Sequence, residues 1–274
     1  MSNGYSDAIK EAYSICPSGE TLVDTLEIRH PDKESIFIVR DQIEFTACLE
    51  NGQWVFENSS ASLVDKVNNR LLTLQSGATV QPTYTESGVT ISTAVGNALV
   101  SDLSDTSAQS VTLTAVVKCS EASLAILLGN LEPSSSKTTS GLSAFVSGNK
   151  AYLTVKPSAA GSGGIGSLTP ASGLNQTTNF FIAVSVNKAT KKGIIYVQQN
   201  SAELTNEAVY TAAVYESALN NFAVGNNAYS ILNAPARKAT FAEAVIFNKA
   251  LTLDEIKAVA TRSKDRMKNR GISF

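Results

Sequence analysis

The stretch AEAVIFNKALTLDEI, residues 242–256, carries the strongest structural signal in the chain. Its apolar run predicts a buried strand, and a tight turn follows at residues 248–250. Thr252 and Glu255 then have the spacing of a capping box, in which each side chain satisfies a free backbone N–H at a helix start. Apolar residues at helical spacing come next, and Gly271 supplies a left-handed stop. The chain is therefore predicted to close with a strand and a short helix.

Composition limits the classes of protein to which the chain can belong. Its 274 residues suit one large β domain with a small accessory part. The formal net charge of −2 argues against nucleic acid as the main partner. No apolar run reaches the roughly 20 residues of a membrane helix, so membrane insertion is not expected. Cys16, Cys48 and Cys119 are odd in number and far apart, which favours reduced thiols over a disulfide framework or a metal site.

Short strands dominate the pattern along the chain. A helix is expected over residues 7–13, three short strands near residues 22–29, 36–39 and 43–49, and a hairpin turn at Asn51-Gly52. Further strands with turns between them are expected over residues 88–92, 111–118, 124–128, 151–155, 180–186, 193–197, 222–225 and 241–247. Many short strands without intervening helices predict an antiparallel β-sandwich. The predicted fold class is mainly β, with a small N-terminal α+β anchor, an antiparallel β-sandwich (jelly roll) and a short C-terminal helix.

Residues 57–274 resemble a concanavalin A-like (LamG-type) sandwich domain. Residues 85–91 are similar to the family's early strand, residues 110–118 to the strand that opens its central sheet, and residues 222–226 to its hydrophobic-x-hydrophobic-Gly strand. The resemblance implies a jelly roll whose loops hold sugars or proteins and which rarely performs chemistry. Relatives of this fold often use calcium, which stays an open alternative here. The basic ending before Gly271-Ile272 also resembles sandwich domains at the tips of phage tail proteins.

The N-terminal part resembles a second family. Residues 24–31, 39–41 and 47–52 resemble the start of a small uncharacterised family found among the tail-tip genes of tailed phages. The resemblance covers roughly residues 6–52, and the chain is expected to depart from the family after Gly52. It implies two domains, a tail-attachment module over residues 1–56 and a sandwich with its helix over residues 57–274.

Catalytic and metal signals are weak. The only histidine, His30, precedes a proline in a predicted turn, and Glu243 stands alone where sandwich hydrolases carry Glu-x-Asp-x-x-Glu. We therefore expect no enzyme and no resident cofactor or metal. Asp102 and Asp105 are the nearest acidic pair for calcium. The basic run at residues 262–270 predicts a solvated face that complements the helix dipole, with a phosphate or lipopolysaccharide contact as the alternative.

Ligand and anchor residues are proposed from residue type and position. Sugars stack on aromatic rings and bind amide groups, so Asn226, Asn227 and Tyr229 in a predicted loop, together with Tyr152, are the candidate ligand residues. The alternative for each tyrosine is a half-buried position in a sheet. The candidate residues for the anchor or an interface are apolar and lie in or next to the N-terminal part: Trp54, Ile36, Phe37 and Phe45.

These observations and resemblances lead to one functional hypothesis and two alternatives. The hypothesis is a structural phage virion protein of the tail tip, baseplate or tail fibre. It would be assembled in the host cytoplasm, would dock to other tail proteins, and would bind a host glycan or pilus as a homo-oligomer, with a trimer as the common case. The first alternative is an architectural tail protein without receptor binding. The second is an enzyme that degrades a surface polysaccharide.

Overall fold

The structure is a computed structural model that divides the chain into two compact units, Met1–Leu49 and Glu50–Phe274. In the first unit it describes only the backbone of two short strands, residues 27–29 and 35–37. In the second unit it describes residues 50–131, 140–157, 163–170, 173–228 and 237–274.

The described part of the first unit is a strand pair. Strand β1 (Glu27–Arg29) pairs antiparallel with β2 (Ser35–Phe37), and Ile28 lies opposite Ile36. Both strands fall within or beside predicted strands. The predicted helix over residues 7–13 and the predicted strand that contains Phe45 lie outside the described residues.

The second unit is built from short antiparallel strands and one helix. Its strands are β3 (Glu50–Val55), β4 (Thr73–Leu74), β5 (Thr83–Thr85), β6 (Gly88–Ser92), β7 (Leu99–Val100), β8 (Val111–Cys119), β9 (Ala125–Gly129), β10 (Gly141–Ser147), β11 (Lys150–Lys156), β12 (Ile165–Leu168), β13 (Phe180–Asn187), β14 (Lys192–Gln199), β15 (Ala202–Val209), β16 (Ala223–Val224) and β17 (Lys238–Phe247). A 3-10 turn covers Ser60–Leu63, and the helix α1 covers Leu253–Lys268.

The strands form two sheets. Seven strands of the eight-stranded sheet follow the order β15-β14-β13-β8-β17-β6-β5. The eighth strand, β3, pairs with β17. The seven-stranded sheet has the order β12-β11-β10-β9-β16-β7-β4. The named strand pairs are antiparallel. The prediction of a mainly β, antiparallel sandwich with a short C-terminal helix is confirmed.

Strand β13 shows why the central strands read as unbroken apolar runs. Phe180, Ile182 and Val184 belong to the apolar core between the sheets. Phe181 faces the opposite way and packs against Phe274, with 6.1 Å between ring centroids. Because both faces of β13 are buried, the apolar and polar alternation of a half-exposed strand is absent.

The helix α1 begins and ends as the sequence predicts. Thr252 accepts a hydrogen bond from the Glu255 backbone, and the Glu255 carboxylate accepts one from Thr252 N at 2.7 Å. Gly271 has φ +70°, and Ile272 N donates to the Met267 carbonyl at 2.9 Å, which closes the helix end. Capping therefore fixes both limits of the helix.

The sandwich starts earlier than residue 57. Strand β3 pairs with β17 from Glu243↔Val55 to Phe247↔Glu50, so residues 50–55 belong to the sandwich unit. Asn51-Gly52 thus lies inside a strand, and the predicted hairpin turn is wrong. The reason for the glycine is packing, because a Cβ at Gly52 would come within 2.4 Å of the Trp54 ring.

Candidate functional site

A concave surface lies on the outer face of the seven-stranded sheet, near its β4 edge. Leu99 points into the core, so its neighbour Val100 points outward, and Val100 is paired with both Thr73 and Ala223. This surface is a shallow depression that is wide open to solvent, and we call it the amide groove. Its lining residues are Thr73, Leu74, Gln75, Ser76, Val100, Leu219, Asn220, Asn221 and Asn227.

Hydrogen bonds hold the chain segment that forms one wall of the groove. The Ser101 backbone and side chain both donate to the Phe222 carbonyl, at 3.0 and 2.6 Å. Asn221 Nδ2 donates to the Ser101 carbonyl at 3.0 Å, and Asn227 Nδ2 donates to the Asn221 carbonyl at 3.4 Å. The amides of this wall are therefore attached to the rigid strand β7.

The opposite wall carries Gln75, and the rim offers apolar surface. The Gln75 backbone donates to Ala98 at 3.0 Å, while its buried Oε1 accepts no hydrogen bond within the described part of the chain. Leu219 is 84% exposed, which is a high value for a leucine. No residue of the described chain that lines the groove is charged. Amide and hydroxyl groups beside a leucine suit an uncharged ligand rich in hydroxyl groups.

Only one of the four predicted ligand residues lies in this groove. Asn227 lines it, but Asn226 is 1% exposed, its Nδ2 donates to Thr93 at 3.4 Å, and its carbonyl accepts from Gly96 N. The prediction that Asn226 binds ligand is therefore wrong, because its side chain is buried and bonds the neighbouring loop. Tyr229 lies outside the described residues.

Tyr152 lies elsewhere on the seven-stranded sheet. It is on β11, separated from β16 by β10 and β9, which places it about 14 Å from β16 at normal strand spacing. Its ring stacks on Phe145 of the neighbouring strand, with centroids 4.8 Å apart. Tyr152 is the half-buried sheet tyrosine of the alternative interpretation, and the structure does not bring it to the amide groove.

The predicted anchor residues lie in different parts of the chain. Trp54 is fully buried in the sandwich core, and its Nε1 donates to the Arg70 carbonyl at 3.2 Å. Trp54 therefore packs within the sandwich, and its predicted anchor or interface role stays a prediction. Ile36 and Phe37 lie on β2, of which only the backbone is described, and Phe45 is outside the described residues.

A buried charged cluster lies beside the groove. Lys188 Nζ contacts Asp105 Oδ1 at 2.5 Å, also donates to the Thr106 carbonyl, and lies 4.1 Å from the centroid of the Tyr215 ring. The Tyr215 hydroxyl and the Ala218 backbone both donate to Asp105 Oδ2 at 3.0 Å. We call Asp105, Lys188 and Tyr215 the Lys188 cluster. It fixes Ala218, the residue immediately before the groove wall.

The acidic pair considered for calcium does not converge on one ion. Asp102 pairs with Arg70 at 2.7 Å, whereas Asp105 pairs with Lys188. Among the described residues, no three His, Cys, Asp or Glu side chains lie close enough to hold a metal ion.

Potential catalytic groups are engaged in structural contacts. Glu243 is buried beneath α1, where its Oε1 accepts from Arg266 and, at 2.9 Å, from Gln53. Burial raises the pKa of the Cys119 thiol to about 12, so the thiol is not a nucleophile at neutral pH. His30 lies outside the described residues.

Arginines near the end of α1 and just after it bind the sandwich. Arg262 donates to Glu50 at 2.5 Å, Arg266 donates to Glu243, and Arg270 donates to the Ala242 and Glu86 carbonyls at 3.1 and 2.9 Å. A spacing of four residues places Arg262 and Arg266 on one face of α1, and Arg270 follows the helix end. Arg262 is exposed, as the predicted solvated face requires, whereas Arg266 and Arg270 are only partly exposed. Arg262 and Arg266 pair with the buried carboxylates of Glu50 and Glu243. The described residues contain no helix with the length and apolar character that crossing a membrane requires.

Sequence comparison matches a family model to the N-terminal part of the chain. Residues 8–63 match a domain of unknown function, DUF1833. The match continues past Gly52 and through β3, so the chain does not depart from a known family at that glycine. No curated protein shows a significant sequence match to the chain.

Solved structures share the sandwich fold at low sequence identity. The binding domain of botulinum neurotoxin serotype G superposes with a TM-score of 0.55 at 11% identity, covering 78% of this chain and 51% of that one. The serotype D ligand-binding domain, in complex with N-acetylneuraminic acid, gives 0.51 at 13%, with 77% and 50% covered. A botulinum neurotoxin type C structure, described as interacting with two ganglioside molecules, gives 0.51 at 12%, with 76% and 50% covered. This chain thus spans about half the length of these matched structures.

Proposed function

We propose that this protein is a structural component of a phage tail tip or tail fibre, and that its sandwich binds a neutral glycan of the host surface in the amide groove. The observation that carries the glycan part is the uncharged groove of amides and hydroxyls, with Leu219 at its rim. The fold supports it, because a botulinum neurotoxin domain with the same fold holds N-acetylneuraminic acid. The tail part is supported by the resemblance of residues 6–52 to a tail-tip family.

The groove chemistry favours a neutral sugar over a sialylated one. A carboxylate such as that of sialic acid binds strongly when a protein cation or several N–H donors face it. The groove offers neutral amides, whose carbonyl and NH₂ groups match the paired donors and acceptors of sugar hydroxyls. Because no ion pair forms with such a ligand, we expect its dissociation constant to change little between low and high salt.

A glycan array with the full-length protein tests this proposal. We expect binding to neutral surface glycans, retained at high salt, and about tenfold weaker binding for Asn227→Ala, the usual cost of one lost hydrogen bond. Gln109→Ala is the matched control, because Gln109 is an exposed amide that does not line the groove. Binding only to sialylated glycans, or equal loss in Asn227→Ala and Gln109→Ala, would contradict the neutral-glycan site.

Cell adsorption and particle composition test the tail part. We propose assembly in the host cytoplasm, incorporation into the virion tail through the first unit, residues 1–49, and a homo-oligomeric state in which repeated weak sites give avidity. Purified particles should contain the protein at the tail tip, and the isolated protein should adsorb to susceptible cells. Presence in particles without adsorption would favour the architectural alternative.

A further inference from the structure

The Lys188 cluster places an amine and a carboxyl group in contact, away from water. The Lys188 and Asp105 side chains are 2% and 0% exposed, and Nζ lies 2.5 Å from Oδ1. The contact joins the residue after β13 to the loop between β7 and β8. Exposed pairs with similar distances occur elsewhere, such as Lys192–Glu207 at 2.6 Å, but their side chains are 38% and 59% exposed.

The second carboxyl oxygen of Asp105 has two donors. The Tyr215 hydroxyl and the Ala218 N–H each lie 3.0 Å from Oδ2. Two fixed donors on one oxygen stabilise negative charge that develops there, as they do for the tetrahedral intermediate of acyl transfer. The arrangement therefore suits attack of an amine at the Asp105 carboxyl carbon.

Burial also favours a neutral product over the ion pair. Burying an ammonium and a carboxylate carries a large desolvation cost, whereas an amide carries no net charge. Desolvation lowers the pKa of Lys188, although Asp105 opposes that shift. The neutral amine, which is the form that can attack, therefore forms more easily than it would in water. Fixing the two groups in contact removes the entropy cost of bringing them together.

We propose that Lys188 and Asp105 condense after folding to form an intramolecular isopeptide bond. The ammonium first passes one proton to Oδ1 across the 2.5 Å contact. The Nζ–Cγ bond then forms while Oδ2 carries the negative charge, and the Cγ–Oδ1 bond breaks as Oδ1 takes a second proton from nitrogen. One water molecule leaves, the amide nitrogen keeps one hydrogen, and no oxidant or co-reactant is needed.

The bond would have a mechanical use. It would covalently join the loop between β7 and β8, which holds Asp105, to Lys188 just after β13. Because Tyr215 and Ala218 donate to Asp105, it would also hold the segment 215–218, which precedes the groove wall, in place. This proposal does not depend on ligand binding, so a glycan array result leaves it unaffected.

Intact-mass measurement of the purified full-length protein tests the proposal. We expect a mass lower than that of the sequence by one water, and a cross-linked peptide that joins the Asp105 and Lys188 fragments after digestion. Lys188→Arg keeps the charge but cannot form the bond, so it should show the full mass. Lys192→Arg is the matched control at the exposed pair and should keep the deficit.

Two results would overturn the proposal. The first is the full sequence mass in folded wild-type protein after prolonged incubation at neutral pH. The second is a water-sized deficit that persists in Lys188→Arg, which would indicate cyclisation of an aspartate rather than a cross-link. Fragment sequencing of the wild-type protein decides the case even if Lys188→Arg fails to fold, because only the isopeptide bond yields the branched peptide.

Discussion

Single buried charges determine how α1 attaches to the sandwich. Glu243 is 1% exposed and accepts hydrogen bonds from Arg266 and Gln53. Arg266→Ala leaves this buried carboxylate with Gln53 as its remaining side-chain donor, and because Arg266 is itself 33% exposed, the expected cost is about 2–3 kcal/mol, at or below that of a fully buried pair. We expect that loss in the free energy of unfolding, measured by urea denaturation of the full-length protein.

Lys257→Ala provides the matched control on the same helix. Its ion pair with Glu203 has a 2.9 Å contact, but both side chains are more than 40% exposed. Exposed pairs contribute less than about 1 kcal/mol, so this variant should unfold close to wild type. Equal destabilisation by the two variants would show that burial of Glu243 is not the cause.

At the residue scale, the sequence shows which residues stand out, but it does not show which side chains they contact in the fold. Glu243 was recognisable as an isolated carboxylate, but its contact with Arg266 depends on the register of α1 over β17, which no local pattern encodes. The sequence predicts a turn at Gly52 because Asn-Gly favours hairpins. The Trp54 ring packs over it instead, and a contact between side chain and backbone of this kind leaves no periodic signal.

The capping box determines the stability of the first turn of α1. Thr252→Ala removes the side chain that accepts from Glu255 N, and loss of such a cap costs about 1 kcal/mol. We expect that decrease in unfolding free energy, together with faster hydrogen exchange of the amides in the first turn. Thr261→Ala, at an exposed position within the helix, should be neutral or slightly stabilising, because alanine is the better helix former. A loss as large in Thr261→Ala would contradict the assignment to the cap.

At the element scale, prediction succeeded where the apolar signal is strong. Strands β8, β13, β14 and β17 and helix α1 have continuous apolar patterns, and the sequence located all of them, as well as the two-residue strand β16 within residues 222–225. The exposed strand β15 and strand β10 were missed, and β4 and β7 have two residues each, too few for alternation to be visible. Strands β4 and β7 carry one side of the amide groove, so the sequence placed Asn227 in a loop but did not predict the groove.

At the scale of the whole molecule, pairing of the first strand of the sandwich with β17 sets the limit of the folded unit. Strand β3 lines up with β17 along its length, and it carries the fully buried Trp54. A fragment of residues 50–274 keeps this strand, whereas a fragment of residues 57–274 leaves residues 243–247 of β17 unpaired along one edge and removes an indole from the core. Losing a buried tryptophan alone costs about 3–5 kcal/mol, a large fraction of the stability of a domain. We expect cooperative thermal unfolding of the longer fragment by circular dichroism, and aggregation or a non-cooperative transition of the shorter one. Cooperative unfolding of both fragments at the same temperature would place the boundary after β3 and make that strand dispensable.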